Sequence, residues 1–375
     1  MSTALAPPAK IEKSLCSGHQ LLLPGQLPSG DPILSVLCKR TYNIRSGAMC
    51  ERAEEDTPIT PGDVPWDSPQ NSSVCFETDY VPYKLATDVV LNGKAHAPGG
   101  SPCYEMLVGI RVGNVVKQVA VIGDRVALYN SGSIPTFSDP QPFEAIELSY
   151  ERAYGGIDVL SDLNTVYAYA RNPYGRGFVV ANSRAAVHRR PLPNLEEPSQ
   201  LLKPERLCVG DYYKSWQQQP LPASLGWFPK TWLPRASLAG VMPGDRALEQ
   251  ELRTAYEKLV PAEHKEAYKN TNLPDMDFRF FSGASHGLAV PYLQGGERII
   301  TENLTPDGLF AFDLPTERPA ISIDIGEGPR QPTVEMHTVM IHMEARQVDL
   351  VWRGAIPYQG LDWLQHMKKL EIVIQ

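Results

Sequence analysis

The sequence predicts a mainly β protein: a β-sandwich-like body of short antiparallel strands, with a loop-rich middle and one or two helices. Three observations lead there. The 375 residues include 34 prolines and 29 glycines, which break long helices and punctuate turns. Several segments alternate apolar and polar residues with period two, the pattern of a half-buried strand. One segment alone, residues 243–260, carries a sustained helical period.

Residues 1–13 are rich in Pro and Ala and read as a flexible arm. Residues 21–25 read as a short apolar piece closed by a turn. Residues 33–42 alternate, with Ile33, Ser35, Leu37, Lys39 and Thr41 on one face, and predict a strand. Residues 54–73 are rich in Pro and acids and read as an exposed loop. Strands follow at 88–91, 104–112 and 115–122. Gly113-Asn114 between the last two is a hairpin signal. Residues 124–128 add an edge.

The stretch 143–178 opens with Ile146, Leu148 and Tyr150 alternating against Glu147, Ser149 and Glu151, which predicts a strand. Gly155-Gly156 follows, then Tyr167 and Tyr169 on a second strand, then Asn172-Pro173-Tyr174-Gly175-Arg176-Gly177. Asn-Pro starts turns, and glycine permits positive φ or close backbone approach. The stretch therefore reads as a strand-framed corner loaded with Tyr and Arg. Glu147 and Glu151 offer a pair of carboxylates, read as a solvated strand face.

Residues 191–234 are rich in Pro and Trp and predict ordered loops wrapping the core, anchored by Trp227, Phe228 and Trp232. In 243–260, Leu248, Leu252, Ala255, Tyr256 and Leu259 recur at helical spacing, Asp245 is placed to cap, and Pro261 stops the run. Residues 263–269 suggest a second short helix. Further strands are predicted at 278–281, 298–302, 309–314, 321–325, 334–343 and 348–352. The tail, 361–375, suggests a helical turn and a last strand. The chain thus divides into an arm (1–13), an N-terminal β-rich part (14–190), wrapping loops (191–242), a helical segment (243–270) and a C-terminal β-rich part (271–375). These read as one continuous domain, or as two sandwich-like halves flanking the helix.

The formal net charge of −8 gives no basic excess to neutralise phosphates, which argues against non-specific nucleic-acid binding. No apolar run is long enough to span a bilayer. The N-terminus lacks the apolar core of a signal peptide. The six cysteines are scattered without a C-x-x-C pair, as expected of reduced thiols in a cytoplasmic protein.

Signals for chemistry are sparse. Gly283-Ala284-Ser285-His286-Gly287 matches G-x-S-x-G, which would make Ser285 a nucleophile if a strand preceded it and a helix followed. Pro291 argues against that helix. His337 and His342 lie five apart on a predicted strand, so alternation sends them to opposite faces. No cysteine cluster, H-E-x-x-H motif or phosphate loop occurs, and neither a metal nor a cofactor is indicated.

Taken in order, ILSVLCKRTYNI, ETDYVPYKLATDVVLNGKAHAP, RVGNVVKQVAVIGDR, FEAIELSYERAYGG, NPYGRGF, PLPNLEEP, LGWFPKTWLPR and PDMDFRFFSGASHGLAVPYLQGGERIITENLTPDGLFAFDLP carry a resemblance along almost the whole chain. The sequence resembles the type VI secretion effector adaptors catalogued as domain-of-unknown-function family 2169. That resemblance implies a bacterial cytoplasmic adaptor, or chaperone, that binds a secreted effector and helps load it onto the VgrG spike or a PAAR-like tip protein. It carries over no catalytic residues, and the charge, the missing phosphate loops and the lack of a spanning run set the further expectations of no cofactor, no nucleic acid and no membrane insertion. The matching motif positions Tyr150, Arg152, Gly155, Gly156, Asn172, Pro173, Gly175, Gly177, Trp232, Pro234, Arg235 and Asp277 are expected to be mainly structural. The chain departs from the pattern at ASLAGVMPGDRALEQ after WLPR, and at GASHG. Other readings are a β-rich hydrolase on polysaccharide or ester substrates, using Ser285 or carboxylates, and a structural component of the secretion particle.

Overall fold

The structure, a computed structural model, describes residues 12–13, 19–27, 30–131, 134–210, 219–233, 235–238, 277–358 and 366–374. The predicted helices at 243–260 and 263–269 lie outside the described residues, as do Pro234 and most of the N-terminal arm. What is described is mainly β, as the alternation and the breakers predict.

The longer strands are β1 (His19–Gln26), β2 (Pro32–Asn43), β3 (Thr87–Asn92), β4 (Glu105–Val112), β5 (Val115–Ile122), β6 (Arg298–Glu302), β7 (Leu309–Asp313), β8 (Pro319–Asp324), β9 (Val334–His342), β10 (Gln347–Pro357) and β11 (Lys369–Ile374). A seven-stranded sheet runs Ala289–Val290, β3, β9, β10, β2, β1, with Glu51–Arg52 added to β2. A five-stranded sheet runs Leu195–Glu196, β5, β4, β6, β7. A four-stranded sheet holds Glu12–Lys13, β11, β8 and Pro329–Arg330. Pairing is largely antiparallel, but β3 and β9 are parallel, with Thr338 opposite Asp88. Strands from both ends of the chain interleave in the large sheet: Cys38 of β2 lies opposite Trp352 of β10.

One face of the large sheet is apolar. Tyr42, Val89, Leu91, Val339, Ile341, Leu350 and Trp352 pack against Val108, Ile110, Val119, Val121, Ile299 and Phe312 of the five-stranded sheet. The same face continues through Leu34, Val36, Cys38 and Ile356 onto Ile321, Ile323, Leu370 and Ile372 of the four-stranded sheet. Each fully buried aliphatic side chain contributes about 1.5–3 kcal/mol, so this layer dominates the stability.

The opposite face is polar and also buried. Lys39 Nζ bonds Asp79 at 3.0 Å and Lys84 Nζ bonds Asp88 at 2.5 Å. Arg353 donates to His337 Nδ1 at 2.8 Å and to the Asp79 carbonyl at 3.0 Å. Asp349 accepts from Thr41 Oγ1 at 2.7 Å. Segments 56–84 and 226–233 cover this face, Pro58 and Asp79 meeting Lys39 and Trp227 packing on Val90 and Met340. Charges survive in such a layer because each has a partner; removing one partner would strand the other.

Several local expectations need correction. Residues 21–25 belong to strand β1, paired with β2; Pro24 is tolerated because β1 is at the edge of its sheet. The strand after Phe143 spans only Ala145–Glu147, and Tyr150–Arg152 form a 3-10 turn. Residues 278–281 are a 3-10 turn too, because Asp277 accepts the Arg279 N–H at 2.9 Å and caps it. In β9 a bulge between Met336 and Thr338 resets the alternation. Met336 stays with Val339 and Ile341 in the apolar core, while Thr338, Met340 and His342 face the polar side. His337 joins them there through Arg353, so the two histidines share a side. A short helix, Arg184–Val187, capped by Ser183, was not anticipated. The Gly113-Asn114 hairpin forms as read, with Gly113 at φ +56 and Val112 opposite Val115.

Candidate functional site

Around residues 150–178 the chain folds onto itself as a joint. Asn172, fully buried, donates from Nδ2 to the Tyr150 carbonyl at 2.7 Å and the Tyr154 carbonyl at 3.1 Å. Gly155 and Gly156 have φ of +149 and +109. A Cβ on Gly155 would sit 2.1 Å from the Asn172 carbonyl oxygen, and one on Gly175 would sit 2.5 Å from that of Ala153. Short two-residue strands, Tyr154–Gly155 with Arg176–Gly177 and Ile157–Asp158 with Tyr167–Ala168, close the joint. Pro173 occupies its turn. Tyr150 is buried edge-on to Trp232, with ring centroids 5.2 Å apart.

The joint forms one wall of an open pocket of about 850 Å³. Trp66, Phe76 and Leu148 supply apolar surface. Glu151, Arg152 and Arg176 supply charge at the joint; His342 supplies it from β9, Glu344 from the turn after β9, and Lys94 from the strand pair Lys94–His96 with Ala145–Glu147. Glu147 and Glu151 both reach this pocket, but they are not equivalent. Glu147 is exposed, whereas Glu151 accepts from Ser73 N at 2.5 Å and Ser73 Oγ at 3.0 Å.

Arg152 and Arg176 converge. Each donates from Nη1 to Asn194 Oδ1, at 3.1 and 3.3 Å. Their contacts to Asp124 Oδ1, at 3.9 and 4.0 Å, are too long for hydrogen bonds, and the Asp124 side chain is 72% exposed. Arg176 also bonds the Glu151 carbonyl through Nε at 3.1 Å. Burial, then the charge of Arg152, lowers the pKa of Arg176, with Asp124 and Glu151 opposing. The arginines are therefore only part clamp: 31% and 30% of their side chains remain exposed.

Two further acid–base groups of the pocket are already engaged or silent. His342 Nε2 lies 3.0 Å from Asp349 Oδ2. Burial opposes ionisation of Asp349, but the bond and charge of His342 prevail and lower its pKa. Burial pushes the Cys75 thiol up to about 12, against the bond from Asn92, so it stays protonated at neutral pH.

A second cluster lies beneath. Arg235 donates to Glu77, to the Phe280 carbonyl at 2.7 Å and to the Phe228 carbonyl. Gly283 fits against this ion pair, and its N–H bonds Asp88 at 3.0 Å. Ser285 is 2% exposed, with a 3-10 turn before it and a turn into the strand Ala289–Val290 after it. The strand-then-helix setting of a nucleophile elbow is not there. His286 is exposed. Asp277 caps the 3-10 turn and pairs with Arg279. Among the described residues no group of three or more His, Cys, Asp or Glu could hold a metal ion, and no helix is long and apolar enough to cross a membrane.

A family model described as an uncharacterised protein conserved in bacteria, DUF2169, matches residues 29–353. The chain belongs to this family. No curated protein and no solved structure matches it. The DUF2169 match begins just before β2 and ends within β10, strands that are neighbours in the large sheet. The joint, the pocket and the Arg235 cluster all fall inside it.

Sequence reading found the joint but missed the pocket. Trp66 and Phe76 lay in or beside a stretch read as exposed loop, and His342 on a strand read by alternation alone. A lone Trp inside a Pro- and acid-rich segment was the available signal.

Proposed function

We propose that this DUF2169 protein is a non-enzymatic adaptor. It binds a type VI secretion effector in the bacterial cytoplasm and helps load it onto the VgrG spike or a PAAR-like tip protein. The observation that carries this reading is the pocket of about 850 Å³ mounted on the rigid joint. Its lining mixes apolar surface with charge, which suits a polypeptide segment better than a small apolar ligand. Three of the side chains that could serve chemistry are committed: Glu151 to Ser73, His342 to Asp349, Ser285 to the interior. The ordered sequence pieces that resemble effector adaptors supply the partner class.

The test is co-purification of the tagged protein with the products of neighbouring effector and spike genes, together with delivery assays in a deletion strain. Association with an effector, and loss of its delivery on deletion, is the expected result. If the protein associates with none of them and delivery is intact without it, the adaptor reading fails.

A further inference from the structure

The arginine pair at the joint suggests what the pocket selects. Two guanidinium groups are brought together by segments on either side of the joint, and their shared acceptor is a neutral amide oxygen, Asn194 Oδ1. Asn194 is itself fixed, fully buried and donating to the Ile122 carbonyl and to Asp124, each at 2.9 Å. The carboxylates near the pair do not complete it. Asp124 stays beyond hydrogen-bond distance of both arginines, and the Glu151 side chain is held by Ser73. A guanidinium carries five N–H donors in a planar fork that matches a carboxylate. Arg152 uses one on Asn194, and Arg176 uses Nε on Glu151 and Nη1 on Asn194. Both side chains keep about a third of their surface open on the wall of the pocket.

We propose that Arg152 and Arg176 form the recognition site for a carboxylate of the partner polypeptide, with the adjoining residue seated against Trp66 and Phe76. Resting on the adaptor reading for the polypeptide nature of the ligand, this specifies its chemistry. Two sources share that chemistry: an acidic side chain and a chain end. A carboxylate entering between the two guanidinium groups would relieve their mutual repulsion, which the exposed Asp124 carboxylate, 3.9 and 4.0 Å away, offsets only in part.

The experiment titrates the full-length protein with three peptides by calorimetry. The first is acetylated, has two apolar residues followed by glutamate, and is amidated. The second is its glutamine analogue, also amidated. The third is the glutamine analogue with a free carboxyl end. At least one carboxylate-bearing peptide should bind about tenfold more tightly than the neutral one, with the preference weakening at high salt. Preference for the first marks an acidic side chain; preference for the third marks a chain end. Arg152→Gln and Arg176→Gln should each reduce the favoured peptide to the level of the neutral one. The wild-type comparison stands even if a variant fails to fold. Equal affinity for all three peptides, or binding of none, overturns the proposal. Effector co-purification separates the two ideas. If it persists in variants that have lost the peptide preference, the adaptor stands and the carboxylate site is not its effector contact. If the wild type discriminates the peptides yet captures no effector, the site stands and the adaptor reading fails.

Discussion

Arg235 and Glu77 form a buried ion pair at 2.6 Å that ties the Trp/Pro-rich segment to the loop covering the polar face of the large sheet. Their side chains are 4% and 3% exposed. Burial opposes ionisation of Glu77, but Arg235 and then Lys230 hold its pKa below the usual value. Arg235 also secures two loop carbonyls, so one guanidinium pins three segments. Arg235→Ala should cost about 3–5 kcal/mol, because it leaves a buried carboxylate half-paired. Arg235→Lys should recover little, since an ammonium cannot span three acceptors in a fork. Urea unfolding of the two variants checks this. A Lys variant as stable as wild type would show that charge alone suffices.

Gly283 and Gly287 frame Ser285 in the same motif but should respond in opposite ways. A Cβ on Gly283 would lie 2.1 Å from Glu77 Oε2 and 2.7 Å from both Arg235 and Trp227. Gly287 has open space around it and carries only the strain of φ +88. Gly283→Ala should therefore lower the melting temperature severely, while Gly287→Ala should cost about 1 kcal/mol. Thermal melts of the two variants separate close packing from backbone strain as the reason for glycine. Equal losses would mean that Glu77 and Trp227 give way.

The parts of the fold that were legible are those where one face meets the core and the other does not. Residues 104–112, 115–122 and 298–302 alternate, and they form strands. Residues 33–42 also form one, though both faces of β2 are buried. The burial of Lys39 and Thr41 was not legible, because sequence shows a charge but not its partner, and Asp79 and Asp349 are distant in the chain. The bulge in β9 was invisible because one extra residue leaves no compositional mark. The aromatic run at 278–281 suits a strand or a turn equally, and the Asp277 cap decides it. The joint was legible because glycines and Asn-Pro mark it locally. The pocket was not, because Trp66, Phe76, Arg176 and His342 meet only in the folded chain.

At the joint, backbone fit should matter more than charge. From sequence, Arg152 is expected to be mainly structural. Its side chain is 31% exposed, and that of its ion-pair partner Asp124 is 72% exposed. Arg152→Gln should therefore destabilise by only about 0–1 kcal/mol after solvent screening. Gly155→Ala should cost several-fold more, since its Cβ would meet the Asn172 carbonyl oxygen at 2.1 Å. Chemical denaturation of both variants under one buffer gives the ranking. A reversal would mean that the arginine pair, not the glycine packing, fixes the joint.

His337 should give the fold an acid-sensitive step near pH 6. Arg353 donates to its Nδ1 at 2.8 Å, which requires that nitrogen to be unprotonated. The Tyr292 ring stacks on it at 5.6 Å, and Tyr83 packs edge-on. Burial, then the charges of Arg353 and Lys84, holds the His337 pKa well below 6.5. Burial also pulls Arg353 down to about 10, which leaves it charged at neutral pH. Below about pH 6.5 the unfolded chain binds a proton at this histidine that the folded chain refuses, so stability falls as pH falls. The slope approaches about 1.4 kcal/mol per pH unit until the folded-state pKa is reached. The Asp349 carboxylate, depressed below 3.8, acts in the same direction but only in stronger acid. The two contributions are thus separated in pH. His337→Gln keeps an acceptor for Arg353 but cannot titrate, so its stability should be flatter than wild type between pH 6.5 and 5. Parallel curves for wild type and variant across that window would show that His337 is protonated in the folded protein after all.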